Sequence, residues 1–419
     1  MSSVFDIKEH VIEASYIREY ARATSHSQDE KLWLHVKQYT PKDNPRPEKG
    51  DVTIIGGHAN AFPKELYEPM WEDLHREAKS RNVRIRSIWI ADAVGQGQSG
   101  IINKDALGND PSWLDYARDI LQMINHFRPP PPIMAMGHSF GANALTNVAL
   151  LHPRLLTSLI LLDPFISHFA TTPETTTRGP VGISMRRREV YPSRAEAAAS
   201  FSRSASYRAW DPRVLERWIV YGFRNVPGKD EVRLTTTKHQ EVFNLLRPSW
   251  QAYDPQGQEL IHPELVPDLD PSLNPHFPTH PFYCPQGTST LTRLPNVRPS
   301  VFYIFGGKSN ISSQELQDEK MALTGSGVDG SGGHTKGRVK KAVGKDNSHL
   351  IPMEDPAFCA LVAADWIKAE IERWWVDERS YEDWTRRPME EKTMLSSDWE
   401  RHIKRVGKYK RGDKIREKI

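Results

Sequence analysis

A series of β-rich runs separated by stretches of helical spacing is what most restricts the folds open to this 419-residue chain. KLWLHVKQY (31–39) alternates apolar and polar residues, as an antiparallel strand near a sheet edge does. DVTIIGG (51–57) and VRIRSIWIAD (83–92) flank a segment of helical spacing from Lys64 to Ser80 and complete a βαβ unit. SWLDYARDILQMINHF (112–127) predicts a second helix, ended by the prolines from Pro129 to Pro132. PIMAMGHSFGANALTNVALLHP then reads as strand, tight turn and helix, and LLTSLILLDPF (155–165) as a further strand. Such alternation predicts an α/β fold, a mostly parallel sheet with helices on both faces.

The alternation stops after residue 163 and resumes at SVFYIFGG (300–307) and RVKKAVGK (338–345), followed by the helical FCALVAADWIKAEIERWW. Between lie an Arg-rich stretch from Met185 to Glu189, a helix over Pro212 to Tyr221, and 11 prolines from 248 to 299. That proline density is expected to prevent regular helices and sheets. The predicted organisation is therefore a first core part (1–163), an inserted lid (164–298), a second core part (299–371) and a charged tail (372–419). GSGVDGSGG (325–333) reads as a mobile loop and not as a phosphate cradle, since no strand leads directly into it and no helix follows.

Composition excludes several classes. Lys plus Arg is 56 and Asp plus Glu 53, so the net charge of +3 offers no global attraction to nucleic acid. Cys284 and Cys359 are too few for a disulfide scaffold or a four-cysteine zinc site, and they suit a reducing compartment. The N-terminus lacks an apolar targeting core, and no apolar run approaches the roughly 18 residues of a membrane helix. With no P-loop, no HExxH and no dinucleotide fingerprint in context, neither a metal nor a cofactor is expected.

The chemistry centres on Gly137-His138-Ser139-Phe140-Gly141, set between a short apolar strand and a good helix. In that context Ser139 occupies a strained turn, its hydroxyl exposed and a helix N-terminus aimed at developing negative charge. A serine nucleophile needs a base, and His349, in the loop after the last strand, is positioned to reach the same sheet edge. His138 adjoins Ser139 in the chain, yet its side chain should point the other way. An oxyanion hole takes one backbone donor from the residue after the nucleophile, Phe140, and one from GGHANAF, where Asn60 is the best candidate.

GGHAN, DAVGQGQS (92–99), GHSFG and the late SHLIP histidine, in that order, resemble the α/β-hydrolase superfamily from about Lys31 to Lys368. GHANAFPKELYEPMW, MGHSFGAN, LILLDPF and GSGVDGSGGH further resemble a fungal subgroup holding the yeast peroxisomal lipase and hydrolases of host-selective toxin biosynthesis. The resemblance implies a serine hydrolase that cleaves an ester or thioester of a hydrophobic small molecule, in secondary-metabolite biosynthesis or lipid metabolism. Acyl transfer and cofactor-free cleavage of an activated carbon bond would use the same residues.

The family's usual triad acid follows the strand that here reads VFYIFGG, but Lys308, Ser309 and Asn310 stand there. Asp163, at the end of LILLDPF, occupies the alternative position and preserves the order Ser, Asp, His; Glu315, Asp318 and Asp346 also compete. The missing late acid keeps a second reading open, a non-catalytic ligand-binding protein on a hydrolase frame. From Arg401 onward nine basic residues face two acids, which suits a solvated tail or an arm for an anionic partner. The last three residues, Glu417-Lys418-Ile419, partly match the peroxisomal address SKL, which would add an import receptor as partner; otherwise the expected location is cytoplasmic.

Overall fold

The computed structural model describes residues 4–269, 276 and 278–406, so Glu417-Lys418-Ile419 lie outside the described residues. Two compact units result, Met1–Glu370 and Ile371–Ile419. The first is built on eight strands: β1 (Phe5–Glu13), β2 (Trp33–Pro41), β3 (Val52–Gly57), β4 (Ile85–Ala91), β5 (Ile133–His138), β6 (Ser158–Leu162), β7 (Ser300–Gly306) and β8 (Val339–Gly344). Their spatial order is β1-β2-β4-β3-β5-β6-β7-β8. β1 and β2 run antiparallel, and all pairings from β4 to β8 are parallel.

Five helices follow the sheet: α1 (Glu68–Ser80), α2 (Trp113–Phe127), α3 (Phe140–Leu151), α4 (Gln314–Leu323) and α5 (Pro356–Thr385). The period of two in β7 shows how both faces are covered. Val301, Tyr303 and Phe305 join the cluster that includes Ile120 and Met123 of α2 and Leu145 and Val148 of α3. Phe302, pointing the other way, stacks on Trp366 of α5 at 5.2 Å between ring centroids. The indole N–H of Trp366 donates to Ser158 Oγ over 2.8 Å, satisfying a polar group the core would otherwise strand.

Residues 163–299 leave the sheet between β6 and β7. They form short helices, among them Arg194–Arg203, Pro212–Tyr221 and Lys238–Leu245, and a three-stranded sheet of Val190–Tyr191, Val232–Leu234 and Phe223–Asn225. Tyr191, Phe201, Tyr207, Trp218 and Phe223 pack edge to face, tilted or stacked around one another and hold this insertion together.

One expectation is corrected. The Pro-rich stretch does contain regular structure: the nine-residue helix Pro285–Arg293 and the pair Arg247–Pro248 with Phe282–Tyr283. Pro285 starts that helix, where a missing N–H costs nothing, and no proline follows within it. The glycine run 325–333 lies against the segment that follows the helix Pro285–Arg293. Gly325, Gly327 and Ser331 donate backbone hydrogen bonds to Leu294, Pro295 and Val297. The strand over residues 31–39 is antiparallel and next to the sheet edge, as expected, with β1 paired outside it along its whole length. Only Phe5 and Ile12 are buried in β1, so its apolar signal was weak.

Among the described residues no helix is long and apolar enough to cross a membrane, and no cluster of His, Cys, Asp and Glu could hold a metal. Cys284 and Cys359 are both buried and unpaired with each other. In the second unit, the exposed helix Ser397–Val406 presents Trp399 and Ile403 to solvent.

Candidate active site

The strand β5 ends in Gly137 and His138, and α3 begins at Phe140, so Ser139 alone makes the turn. It does so at φ 52° and ψ −113°, a conformation L-residues rarely adopt and one found where function requires a strained corner. Its N–H donates to Leu162 O of β6 over 3.0 Å, and its carbonyl accepts from Asn143 and Phe165, which fix the turn to its surroundings. The flanking glycines are required by space. A Cβ on Gly137 would sit 2.7 Å from Leu145 Cδ1, and one on Gly141 would sit 2.3 Å from the backbone carbon of Gly57. The second contact sets how closely the loop after β3 approaches the Ser139 turn.

His349, after β8, lies with Nε2 2.9 Å from Ser139 Oγ and Nδ1 2.6 Å from Asp163 Oδ2. These partners assign the proton to Nδ1, which donates to the carboxylate and leaves Nε2 to accept from the serine. Asp163 is fully buried and held by two further donors, Gly306 N at 3.1 Å on Oδ1 and Ser309 Oγ at 2.6 Å on Oδ2. Burial by itself would raise its pKa. The hydrogen bonds from His349, Ser309 and Gly306 outweigh that and hold the carboxyl below its ordinary value.

The structure thus brings Ser139, His349 and Asp163 together and leaves the competing acids elsewhere. Glu315 accepts from Ser313 on the surface, Asp318 pairs with Lys341, and Asp346 with Lys308. The residues after β7 that lack an acid do contribute, through Ser309. That role was invisible in the sequence, because a serine in an acid's usual place signals loss and not support.

The loop after β3 carries Asn60. Neither the backbone N–H of Asn60 nor that of Phe140 takes a hydrogen bond among the described residues, so both are available to a ligand. The Ala59 carbonyl, which shares a rigid peptide plane with Asn60 N–H, lies 2.8 Å from His58 Nδ1. His58 Nε2 accepts from Ala93 N, so Nδ1 carries the proton and pins that plane. Asn60's side chain faces the insertion, with Nδ2 donating to Glu241 O at 3.0 Å and Oδ1 accepting from Gln96 and Asn244. Lys238–Leu245, one of the insertion's helices, is therefore bonded directly to this loop. Ser139 retains only 8% exposure.

Asp92 of DAVGQGQS is buried and accepts from the Lys64 ammonium at 2.6 Å and from the Lys64 and Gln98 amides. Gly97, at φ 53°, passes so close that a Cβ would lie 2.3 Å from Asp92 Cγ. This ties the loop after β4 to the turn Lys64–Tyr67, which precedes α1.

His138, next to Ser139 in the chain, makes its side-chain hydrogen bonds elsewhere. It is buried between Tyr67 Oη at Nδ1 and the His349 carbonyl at Nε2, each 2.9 Å away. Burial, with the neighbouring His349 next in importance, pushes its pKa down to about 3. An unfolded histidine titrates near 6.5, so between about 6.5 and 3 the unfolded chain binds a proton the folded one refuses. Stability is expected to fall with pH across that window, by at most about 5 kcal/mol from this residue. Urea unfolding from pH 7 to 4 should show a shallower decline in His138→Gln; an equal decline would refute the assignment.

A model of the "Alpha/beta hydrolase family" matches residues 56–361. The chain belongs to that family. Among curated proteins, this hydrolase is 36% identical to the type I acyl-CoA thioesterase mpaH of Penicillium brevicompactum, covering 98% of each chain. The protein of that name from Penicillium roqueforti is 35% identical, with 96% of each chain covered. An abhydrolase domain-containing protein of Alternaria alternata, AFT2-1, is 28% identical over 57% of this chain and 84% of its own. These are fungal proteins, as the sequence resemblance implied. The fold is also that of the peroxisomal alpha-beta-hydrolase Lpx1 of Saccharomyces cerevisiae, with TM-score 0.62, 16% identity and 97% of each chain covered.

Proposed function

We propose that this hydrolase cleaves a thioester or ester of a hydrophobic acyl group through an acyl-enzyme on Ser139, in fungal secondary metabolism. The observation that carries the proposal is the chain of hydrogen bonds from Ser139 Oγ to His349 to Asp163, at 2.9 and 2.6 Å. Ser139 Oγ attacks the carbonyl carbon as its proton passes to His349 Nε2, and Asp163 stabilises the resulting imidazolium. The oxyanion is received by the N–H groups of Phe140 and Asn60. His349 returns the proton to the departing thiol or alcohol. It then takes one from the water that attacks the acyl-serine and passes it to Ser139 Oγ as the intermediate collapses, which releases the acid and restores the serine hydroxyl.

The two Penicillium relatives, similar along nearly the full chain, favour an acyl-CoA thioester over a simple ester. Hydrogen bonds from the insertion to Asn60 support its reading as a lid over the acyl pocket. With Asp163 in contact with His349, the absent acid after β7 no longer argues for a non-catalytic binding protein. The test is thiol release from acyl-CoA esters of increasing acyl size, alongside their oxygen-ester counterparts. Turnover of bulky acyl-CoA well above the matching esters is expected. Equal or better turnover of the esters would reject the thioester assignment, and turnover of neither would reject hydrolysis of this substrate class.

A further inference from the structure

Three parts of the site come from distant stretches of the chain: the loop at Ala59-Asn60, the turn at Ser139 and the loop at His349. A single run of hydrogen bonds joins them. Ala59 N–H donates to Tyr67 Oη over 2.8 Å, and Tyr67 Oη meets His138 Nδ1 at 2.9 Å. His138 Nε2 meets the His349 carbonyl, again at 2.9 Å. A carbonyl only accepts, so Nε2 carries the ring proton, Nδ1 accepts, and Tyr67 must donate to it. Every donor and acceptor in the run then has one consistent direction. We infer that Tyr67 and His138 are positioning residues that hold the Asn60 amide and the His349 imidazole in register across Ser139. The inference rests on the hydrolase reading above, since it assigns these two residues to that reaction.

Several observations support it. Both ends of the run are main-chain atoms beside proposed catalytic groups, so the run sets backbone position and leaves the reacting atoms free. Tyr67 and His138 are almost completely buried, so no water competes for these bonds. Burial raises the Tyr67 hydroxyl and lowers His138, which keeps the pair neutral while the adjacent His349, with its ring 5.1 Å from that of His138, gains and loses charge. Tyr67 is itself anchored: it closes the turn Lys64–Tyr67, whose first residue is bound to buried Asp92.

The experiment compares Tyr67→Phe, His138→Phe and His138→Gln with wild type and with Ser139→Ala, measuring kcat, KM and the end-point fraction labelled by a fluorophosphonate. Tyr67→Phe strands two buried groups and should lower kcat per labelled site about 10- to 100-fold, as misplacement by about 1 Å does, with KM within about two-fold. His138→Phe should behave alike. His138→Gln retains an N–H able to reach the His349 carbonyl and should recover most of the loss. A merely structural role would reduce the labelled fraction or the melting temperature and leave kcat per labelled site unchanged, which would overturn the inference. Glutamine no better than phenylalanine would also overturn it. Should Tyr67→Phe fail to fold, the two His138 variants decide. Turnover that survives Ser139→Ala would instead sink the reading of an acyl-enzyme on Ser139.

Discussion

Ser139→Ala is expected to abolish thioester and ester hydrolysis, with a fall in kcat of about 10^4- to 10^6-fold, and to eliminate fluorophosphonate labelling. The removed atom is the one within 2.9 Å of His349 Nε2. His349→Ala should lose nearly as much, and the double variant little more, because nucleophile and base act as a unit. Neither change should unfold the protein. Ser139 adopts φ 52° as an alanine also would, so the strain is unaltered, and His349 is about one quarter exposed. Kinetics with matched thermal melts would decide. A folded Ser139→Ala enzyme with substantial turnover would remove the acyl-enzyme from consideration.

Asp163→Asn is expected to lower kcat by about 10^3- to 10^4-fold, the loss seen in enzymes with this trio when the orienting acid becomes an amide. The physical reason lies in the tautomer. Asp163 Oδ2 accepts from His349 Nδ1, and an amide nitrogen there would favour the proton on Nε2, where it blocks acceptance from Ser139. Ser309→Ala removes one donor to the same oxygen and should cost about ten-fold or less, since a single hydrogen bond to a charged group is weaker than the charge itself. Glu315→Gln, on the surface, should leave kcat unchanged. The pH sense follows from the lowered carboxyl. Its stabilising contribution is complete above the unfolded value near 3.9 and is lost as pH falls through the lower folded value, so neutral solutions contain the ionised form. Stopped turnover assays across these three variants test the assignment. Near-normal kcat in Asp163→Asn, with a large loss in Glu315→Gln, would transfer the role.

Much of the frame was legible along the chain. The apolar runs at β3, β5 and β7 are buried over their full lengths, so their composition announces them. The helix Pro212–Tyr221 also matched its spacing. β1 was missed because an exposed edge strand buries few residues, and the helix Pro285–Arg293 because proline counted as a breaker hides its use as a starter.

The site divides in the same way. Ser139 could be named from its pentapeptide, since two glycines beside a serine between strand and helix serve a local geometric need that a local pattern can express. His349 was placed by its loop. Asp163 was only one acid among several. Its selection required the tips of β6 and β7 to lie side by side, with Asp163 N donating to Ile304 O, and that pairing joins residues more than 100 apart in the chain. Ser309 lies in no motif, and the motifs that contain Tyr67 and His138 do not reveal which partners these side chains bind. The sequence by itself determined the strand-turn-helix setting of Ser139, the proposed nucleophile, and the alternating sheet, because these depend on neighbours within a few residues. The supporting hydrogen bonds were decided only in the tertiary structure, because a buried polar group acquires its role from whichever partner the fold carries to within about 3 Å.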